Sequence, residues 1–436
     1  MNYDVIVIGG GPGGYSAALK AAKNGLRTLL IEKDKLGGVC LNEGCIPTKT
    51  LLYSAKIFDS IKSGSKYGVT AEGLVFDHAK VLKRKDKTVK ILTAGIRASL
   101  EKAGVVCLAA NATLTPDGVL ADGARFTAEH IILAAGSSAM LPNISGALNA
   151  LTSREVLSLA EVPQSLAVVG GGVVGLELAS YFNSIGTQVT VVEMLGKIGG
   201  SLDAELAEIL MKNYQKKGMT FVLNARVTEI RQGSLVYEQA GESAEILCDK
   251  VLMSVGRTPN VADLGLAETG IRFSGKGIET NEFCQTNVQG IYAIGDVNGK
   301  SMLAHTAYRE ADACVNHILG IKDRVDYGLI PSVIYTNPEA AWVGAPEDSP
   351  HAGETVKIPM RYSGRYLAEN EGGDGLCKIV LGADKQILGV HLLGGCASEI
   401  IYGAGMLIAN QTKAEDIEKI VFPHPTVSEI LREALL

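Results

Sequence analysis

The 436-residue chain contains no apolar run near the roughly 18 residues that suggest a membrane span, and its start, Met1-Asn2-Tyr3, enters a strand without a basic or cleavable leader. A cytoplasmic protein with no membrane partner is therefore expected. Excess positive charge is also missing: 41 Lys and Arg stand against 47 Asp and Glu, for a net charge of −6, which gives no sign of a nucleic-acid partner. The short basic run Lys83-Arg84-Lys85-Asp86-Lys87 reads as the solvated face of a helix. Aromatic residues are scarce while glycine reaches 51, a balance that suits α/β folds with many tight strand-to-helix turns rather than β-sandwiches. The 8 cysteines do not make a disulfide framework in a chain this long. Cys107, Cys248, Cys284, Cys314, Cys377 and Cys396 stand singly, and most read as buried, inert thiols. At about 100–200 residues per domain, the length implies two to four domains.

The other two cysteines lie in Gly37-Gly38-Val39-Cys40-Leu41-Asn42-Glu43-Gly44-Cys45-Ile46-Pro47-Thr48-Lys49. In an unbroken helix such a pair would be roughly 8–9 Å apart, whereas a disulfide needs Cα atoms about 4.4–6.8 Å apart. A disulfide here therefore requires a bend. Gly44 makes an irregular turn easy, and Pro47 suits a first helical turn, so a regular helix is expected from about Thr48 through Leu51, Leu52 and Ala55. An accessible disulfide at a helix start is easily reduced, and a lasting structural disulfide is not expected in a reducing compartment. The spacing thus suggests a redox-active pair, with two unlinked buried thiols as the alternative.

Two stretches of the chain repeat one plan. Tyr3 to Ile8 is a short apolar run followed by Gly9-Gly10-Gly11-Pro12-Gly13-Gly14, a helical pattern through Ala17, Ala18, Ala21 and Ala22, and a strand Thr28 to Ile31 ending at Glu32. This is a dinucleotide fingerprint: Gly9 for the turn, Gly11 for close approach to a pyrophosphate, Gly14 for helix-on-strand packing, and Glu32 to accept a ribose hydroxyl. The same order returns 161 positions later, with Gly170, Gly172, Gly175 and, at the end of the strand Val189 to Val192, Glu193. Two Rossmann-type units imply two dinucleotides, each with its pyrophosphate at a helix N-terminus. Glu193 would bond the 2′-hydroxyl of NAD and repel the 2′-phosphate of NADP, and Lys197 is the only close cation. The first unit runs into the cysteine turn, so its cofactor should set a redox ring beside the disulfide; FAD is the natural choice.

With these fingerprints and the CxxxxC between them, the chain resembles the class I pyridine nucleotide-disulfide oxidoreductases over nearly its whole length. The likeness extends to Ile132-Leu133-Ala134-Ala135-Gly136, Ser254-Val255-Gly256-Arg257-Thr258-Pro259-Asn260, and Thr286 through Tyr292-Ala293-Ile294-Gly295-Asp296. Leu303-Ala304-His305-Thr306-Ala307 and the segment Ile330 to Glu339 read like the family's dihydrolipoamide-oxidising branch rather than its glutathione or mercuric reductases. The chain stops at Leu436 without the terminal cysteine pair of mercuric reductases, and nothing Pro- or Ala-rich precedes Met1, so no attached lipoyl domain is expected. Val39 stands where the family usually has Thr, and Ala112 where Gly commonly approaches the adenosine portion of the flavin. Gly344 to Gly353 is short and carries Pro346 and Pro350, so a loop is expected where relatives have a longer helix.

The resemblance implies an α/β fold: two Rossmann-type dinucleotide-binding domains plus a C-terminal α+β interface domain. The expected boundaries are 1–142 for the first part of the FAD domain, 143–260 for NAD, 261–328 for the second part of the FAD domain, and 329–436 for the interface. It implies Cys40 as the thiol that exchanges with substrate and Cys45 facing the flavin. Lys49 would sit at the flavin ring edge, paired with Glu177. The FAD site would then comprise Gly9, Gly11, Gly14, Glu32, Lys49, Ala112, Gly136, Asp296 and Ala304. The NAD site would comprise Gly170, Gly172, Gly175, Glu177, Glu193 and Gly256, and no metal is assigned.

His424 is flanked by Pro423 and Pro425, and an imidazole titrates near neutrality, so it can take the proton of an incoming dithiol. In the family this histidine serves the disulfide of the other subunit, which implies a homodimer with a shared site. Glu429 would orient His424, yet Thr426-x-x-Glu429 also reads as a helix capping box. His305 reads as a packing or hydrogen-bonding residue. The expected reaction is NAD-linked oxidation of a protein-bound dihydrolipoamide. The alternatives are another disulfide or metal-ion reductase of the family, or mainly a docked component of a 2-oxo-acid dehydrogenase or glycine-cleavage assembly.

Overall fold

The computed structural model describes residues 2–371 and 374–436. The chain divides into two compact units, one of Met1–Thr50, Lys80–Met140 and Gly256–Val325, the other of Leu51–Ala79, Leu141–Val255 and Asp326–Leu436.

In the first unit the strand Asn2–Ile8 is central. It runs parallel to Thr28–Glu32, with Val106–Ala109 beyond, and on its other side to the later half of Ala124–Leu133, which Ile291–Ala293 also joins in parallel. Parallel strands covered on both faces need near-continuous apolar runs, and Val5 through Ile8 and Leu29 through Ile31 are buried accordingly. The early half of Ala124–Leu133 turns instead into an antiparallel meander with Gly118–Ala121 and Ala112–Thr115. The helices Pro12–Lys23 and Ala304–Ile318 lie against each other, fastened by Lys20 Nζ on Asp312 Oδ1 at 2.8 Å.

The second unit holds the repeat of the same plan. Its parallel strands follow the order Thr220–Val222, Gln188–Val192, Ser165–Val169, Lys250–Met253, beside an antiparallel sheet of Ala225–Arg231, Ser234–Gln239 and Glu242–Leu247. A five-stranded antiparallel sheet completes it, in the order Ser332–Ile334, Glu339–Gly344, Ile387–Gly394, Leu376–Leu381, Glu354–Pro359, with the helix Ala397–Ala409 packed on it. Every residue of Leu376–Leu381 is buried, Lys378 included at 1% exposure. A lone buried ammonium would be costly, and Asp203 Oδ2 and Glu347 Oε2, both at 2.7 Å, compensate it. Burial alone would lower the Lys378 pKa, but its bonds to Asp203, Glu347 and Glu205 outweigh this and hold it above the ordinary value.

Glu347 belongs to the loop of residues 345–353, which joins two strands without a helix, as its composition suggests. Among the described residues no helix is long and apolar enough to cross a membrane.

Two expectations need correction. The run around Lys83 does lie on a helix, His78–Lys102, but Lys85 is buried with its ammonium 3.0 Å from Asp86, because one position per turn of any helix faces inward. As expected for most of the six single cysteines, Cys248, Cys284, Cys314 and Cys377 are buried, while Cys107 and Cys396 are exposed. The helix expected from about Thr48 starts at Cys45 and runs to Lys62, preceded by a short helix Gly38–Glu43.

Candidate active site

Cys40 and Cys45 form a disulfide with Cα atoms 4.8 Å apart. Gly44, at φ −145° and ψ −107°, breaks the helical path between the two short segments and brings the cysteines within bonding reach. Pro47 falls in the first turn of the second helix, where a missing N–H leaves nothing unsatisfied. The Asn42 amide bonds Leu36 O at 3.0 Å and Gly38 O at 2.9 Å, pinning the first segment. Lys49 follows Cys45 by one turn of the same helix.

This turn is built onto the first glycine loop. Gly38 has φ +58°, and a Cβ there would come 2.8 Å from Gly11 Cα. Gly38→Ala is therefore expected to destabilise the fold by about 1–3 kcal/mol, from left-handed backbone strain plus displacement of the loop. Thermal unfolding and FAD retention should fall together, and an unchanged melting temperature and FAD content would refute the close packing.

The two glycine loops superimpose in chemistry. Gly9 and Gly170 have φ of +105° and +100°, and a Cβ on Gly9 would meet Ala134 O at 2.2 Å as one on Gly170 would meet Ser254 O at 2.6 Å. Gly14 and Gly175 lie against Gly9 O and Gly170 O, where a Cβ would fall at 1.8 and 2.3 Å. The helices Pro12–Lys23 and Val173–Ser184 start at Gly11 and Gly172 with no side-chain cap and no acidic residue in the first turn. Above Gly172 there is open space to at least 4 Å, and above Gly11 the nearest atom is 3.9 Å away. Both loops thus fit a pyrophosphate, which needs uncapped N–H groups and room for close approach.

Glu32 Oε2 accepts Gly10 N at 2.6 Å and its Oε1 accepts Asp34 N at 2.7 Å; Glu193 does the same with Gly171 N at 2.6 Å and Leu195 N at 2.8 Å. Each carboxylate therefore fastens its own loop and keeps lone pairs for a ribose hydroxyl. Lys197, the nearest cation in sequence, spends its ammonium on Leu202 O at 2.7 Å and on Gly200 O. Glu177 is buried at 3% exposure, with Oε1 accepting Tyr335 N at 3.0 Å.

The remaining residues assigned to FAD lie in the first unit. Asp296 sits in the turn Gly295–Asn298, whose Gly295 N donates to the buried Glu310 Oε2 at 2.5 Å. Gly136, at φ +71°, is followed by Ser137, whose hydroxyl donates to Asp296 Oδ2 at 2.5 Å. Ala304 opens the helix Ala304–Ile318, His305 is exposed on its first turn, and Ala112 is a buried strand residue opposite Ala121. Gly256, assigned to NAD, falls in the first unit with its carbonyl accepting Met140 N at 3.0 Å. Ser137, Arg257 and Glu310 escaped sequence reasoning. The only signal was the Arg in Val255-Gly256-Arg257 beside a strand end.

In the second unit, His424 Nδ1 is 2.9 Å from Glu429 Oε1, and Glu429 Oε2 accepts Thr426 N at 2.7 Å. The capping and orienting readings of Glu429 are therefore both realised, one on each oxygen. A carboxylate oxygen only accepts, so Nδ1 carries the proton and Nε2 is left as the acceptor. The backbone N–H of Thr426, and then the bond from His424, hold the Glu429 pKa below the usual value, so it stays ionised at neutral pH.

A redox disulfide beside one dinucleotide loop, with a second such loop later in the chain, defines a class: FAD-dependent oxidoreductases that exchange electrons between thiols and a nicotinamide. The chain belongs to the pyridine nucleotide-disulphide oxidoreductases, with residues 3–311 matching that family and residues 330–435 matching its dimerisation domain. Its cofactors are FAD and NAD. It is 36% identical to a dihydrolipoyl dehydrogenase of Bacillus subtilis across 100% of this chain and 97% of the relative. Identity is 38% with the mitochondrial dihydrolipoyl dehydrogenase of Pisum sativum, over 99% of this chain and 91% of the relative. A leghemoglobin reductase of Vigna unguiculata is 37% identical over 99% of this chain and 87% of its own length. Among solved structures, LpdA of Mycobacterium tuberculosis matches with a TM-score of 0.89 and 27% identity over 99% of both chains. The HOCl-induced flavoprotein disulfide reductase RclA of Escherichia coli, solved as a Cu(II) complex, matches with a TM-score of 0.89 and 25% identity over 100% of this chain and 99% of its own.

Proposed function

We propose that the protein oxidises protein-bound dihydrolipoamide to lipoamide with NAD⁺ through the Cys40–Cys45 disulfide. The observation that carries this reading is that disulfide, set on the first glycine loop of a chain similar from end to end to dihydrolipoyl dehydrogenases. A substrate thiolate attacks Cys40 Sγ and Cys45 leaves as a thiolate. The second substrate thiolate then attacks the substrate sulfur of the mixed disulfide; Cys40 leaves, and the lipoamide ring closes. His424 Nε2 takes the proton of the first thiol, gives it up to solvent and then takes that of the second, with Glu429 holding its tautomer. FAD held at Gly9, Gly11, Gly14 and Glu32 would supply a two-electron relay between the dithiol and NAD⁺.

The active unit in this reading is a homodimer, with His424 of one protomer serving the disulfide of the other, which the dimerisation domain supports. In this reading residues 1–142 and 261–328 form the FAD domain, 143–260 the NAD domain and 329–436 the interface domain, and Lys49 is assigned to the flavin edge. The lipoyl arm belongs to a 2-oxo-acid dehydrogenase or glycine-cleavage assembly in the cytoplasm; co-purification with a lipoyl-bearing carrier tests that association.

Steady-state assays decide the substrate. Dihydrolipoamide with NAD⁺ should turn over at least about a hundredfold more efficiently than NADPH-driven reduction of glutathione disulfide or Hg²⁺. The likeness to the E. coli disulfide reductase favours the reductive reading as the competitor, and the reverse ratio would establish it. Glu193, with its nearest cation tied down, is expected to favour NAD⁺ over NADP⁺ by about a hundredfold or more in kcat/KM. Replacing it by serine should narrow that ratio about tenfold, and an unchanged ratio would remove Glu193 from the specificity site.

A further inference from the structure

The carboxylate of Asp296 is held from one side. Its Oδ2 accepts the Ser137 hydroxyl at 2.5 Å, and Ser137 Oγ in turn accepts Arg257 Nε at 2.7 Å, while Arg257 Nη2 donates to the Ser137 carbonyl at 2.6 Å. The guanidinium itself stays 3.8 Å from Oδ2. Among the described residues Asp296 Oδ1 has no hydrogen-bond partner. A serine hydroxyl has one proton, and an arginine only donates, so the direction of this chain is fixed: Arg257 to Ser137, Ser137 to Asp296. Neither end is free to drift. Ser137 and Arg257 lie on the paired strands Ser137–Ala139 and Arg257–Pro259, and Glu310 holds the turn that carries Asp296.

Arg257 is an expensive choice for a merely structural tie. Burial draws its pKa below the ordinary value, against the charges of Asp296 and of Glu43, which lies between the two redox cysteines. An ordinary strand pair needs no desolvated cation.

We propose that Arg257 is a positioning residue for FAD: through the Ser137 hydroxyl it fixes Asp296 so that Oδ1 is presented to a hydroxyl of the cofactor. The inference rests on the reading of the first unit as the FAD site. Lysine at this position would keep the charge but lose the fork that grips Ser137 twice.

The test is the rate of FAD release from the holoenzyme on dilution, followed by the rise in flavin fluorescence. Arg257→Met and Ser137→Ala are expected to release FAD about tenfold faster or more than wild type, with Arg257→Lys in between. Adding Arg257→Met to Asp296→Asn should change release by less than about threefold, because the residue being positioned is already lost. A merely structural tie would lower the melting temperature of both backgrounds alike and act independently of Asp296. Release within about twofold of wild type in both Arg257→Met and Ser137→Ala, or independent effects in the double variant, overturns the inference. If Arg257→Met does not fold, Ser137→Ala breaks the same chain and decides the matter. Wild-type protein that binds no FAD would overturn the FAD reading itself, and the inference with it.

Discussion

His424→Gln is expected to slow dihydrolipoamide oxidation by about two to four orders of magnitude, the range lost when a positioned acid–base group is removed. Glutamine can still bond Glu429 but cannot take a proton. Hydride exchange between NADH and an NAD⁺ analogue, which needs no thiol proton, should persist within about threefold, because His424 acts only on the dithiol half of the reaction. Glu429→Ala should cause a smaller loss, about ten- to a hundredfold, since it frees the imidazole tautomer without removing the base. Stopped-flow reduction by dihydrolipoamide measures both. Equal loss of both half-reactions in His424→Gln would show that the histidine is structural, and no loss at all would remove it from the site.

Cys45→Ser should abolish steady-state turnover, by about a thousandfold or more, because the remaining Cys40 has no internal partner with which to store an electron pair. FAD should stay bound, since Gly9, Gly11 and Glu32 hold the loop independently of the sulfur. Reduction of wild type should produce the long-wavelength absorbance of a thiolate lying against the flavin, and Cys45→Ser should lack it. Cys40→Ser is equally inactive in turnover yet keeps Cys45, so it should show that absorbance without any reductant. The band appearing in Cys45→Ser and missing from Cys40→Ser would reverse the two roles.

The parts of this site that were legible in the sequence are those whose chemistry is local. Glycines spaced for a turn, a strand before and a helix after, and a carboxylate at the next strand end declare themselves within about 30 residues. The repeat doubled that signal. The helix starts at Cys45 rather than at about Thr48 because the irregular backbone is confined to Gly44, and Pro47 sits inside the first turn, where its missing N–H leaves nothing unsatisfied. Lys85 was misread because a charge run says nothing of which residue a helix turns inward.

The least legible feature joins residues far apart in sequence. Ser137 and Arg257 come together because Ser137–Ala139 pairs with Arg257–Pro259, Asp296 follows the strand Ile291–Ala293 that pairs with Ala124–Leu133, and no periodicity marks either pairing. Glu429 shows the opposite limit. Its two sequence readings looked exclusive until the structure put one on each oxygen.

The central claim, that dihydrolipoamide electrons enter through Cys40 and pass by way of Cys45, is tested most directly by trapping thiols in a single turnover. Anaerobic holoenzyme is mixed with one equivalent of dihydrolipoamide, alkylated with iodoacetamide, and mapped by peptide mass. The account predicts new label on Cys40 with Cys45 protected, loss of that label and formation of NADH when NAD⁺ is added before alkylation, and constant labelling of the six other cysteines. Formation of NADH from dihydrolipoamide with no new label on either Cys40 or Cys45 would contradict it.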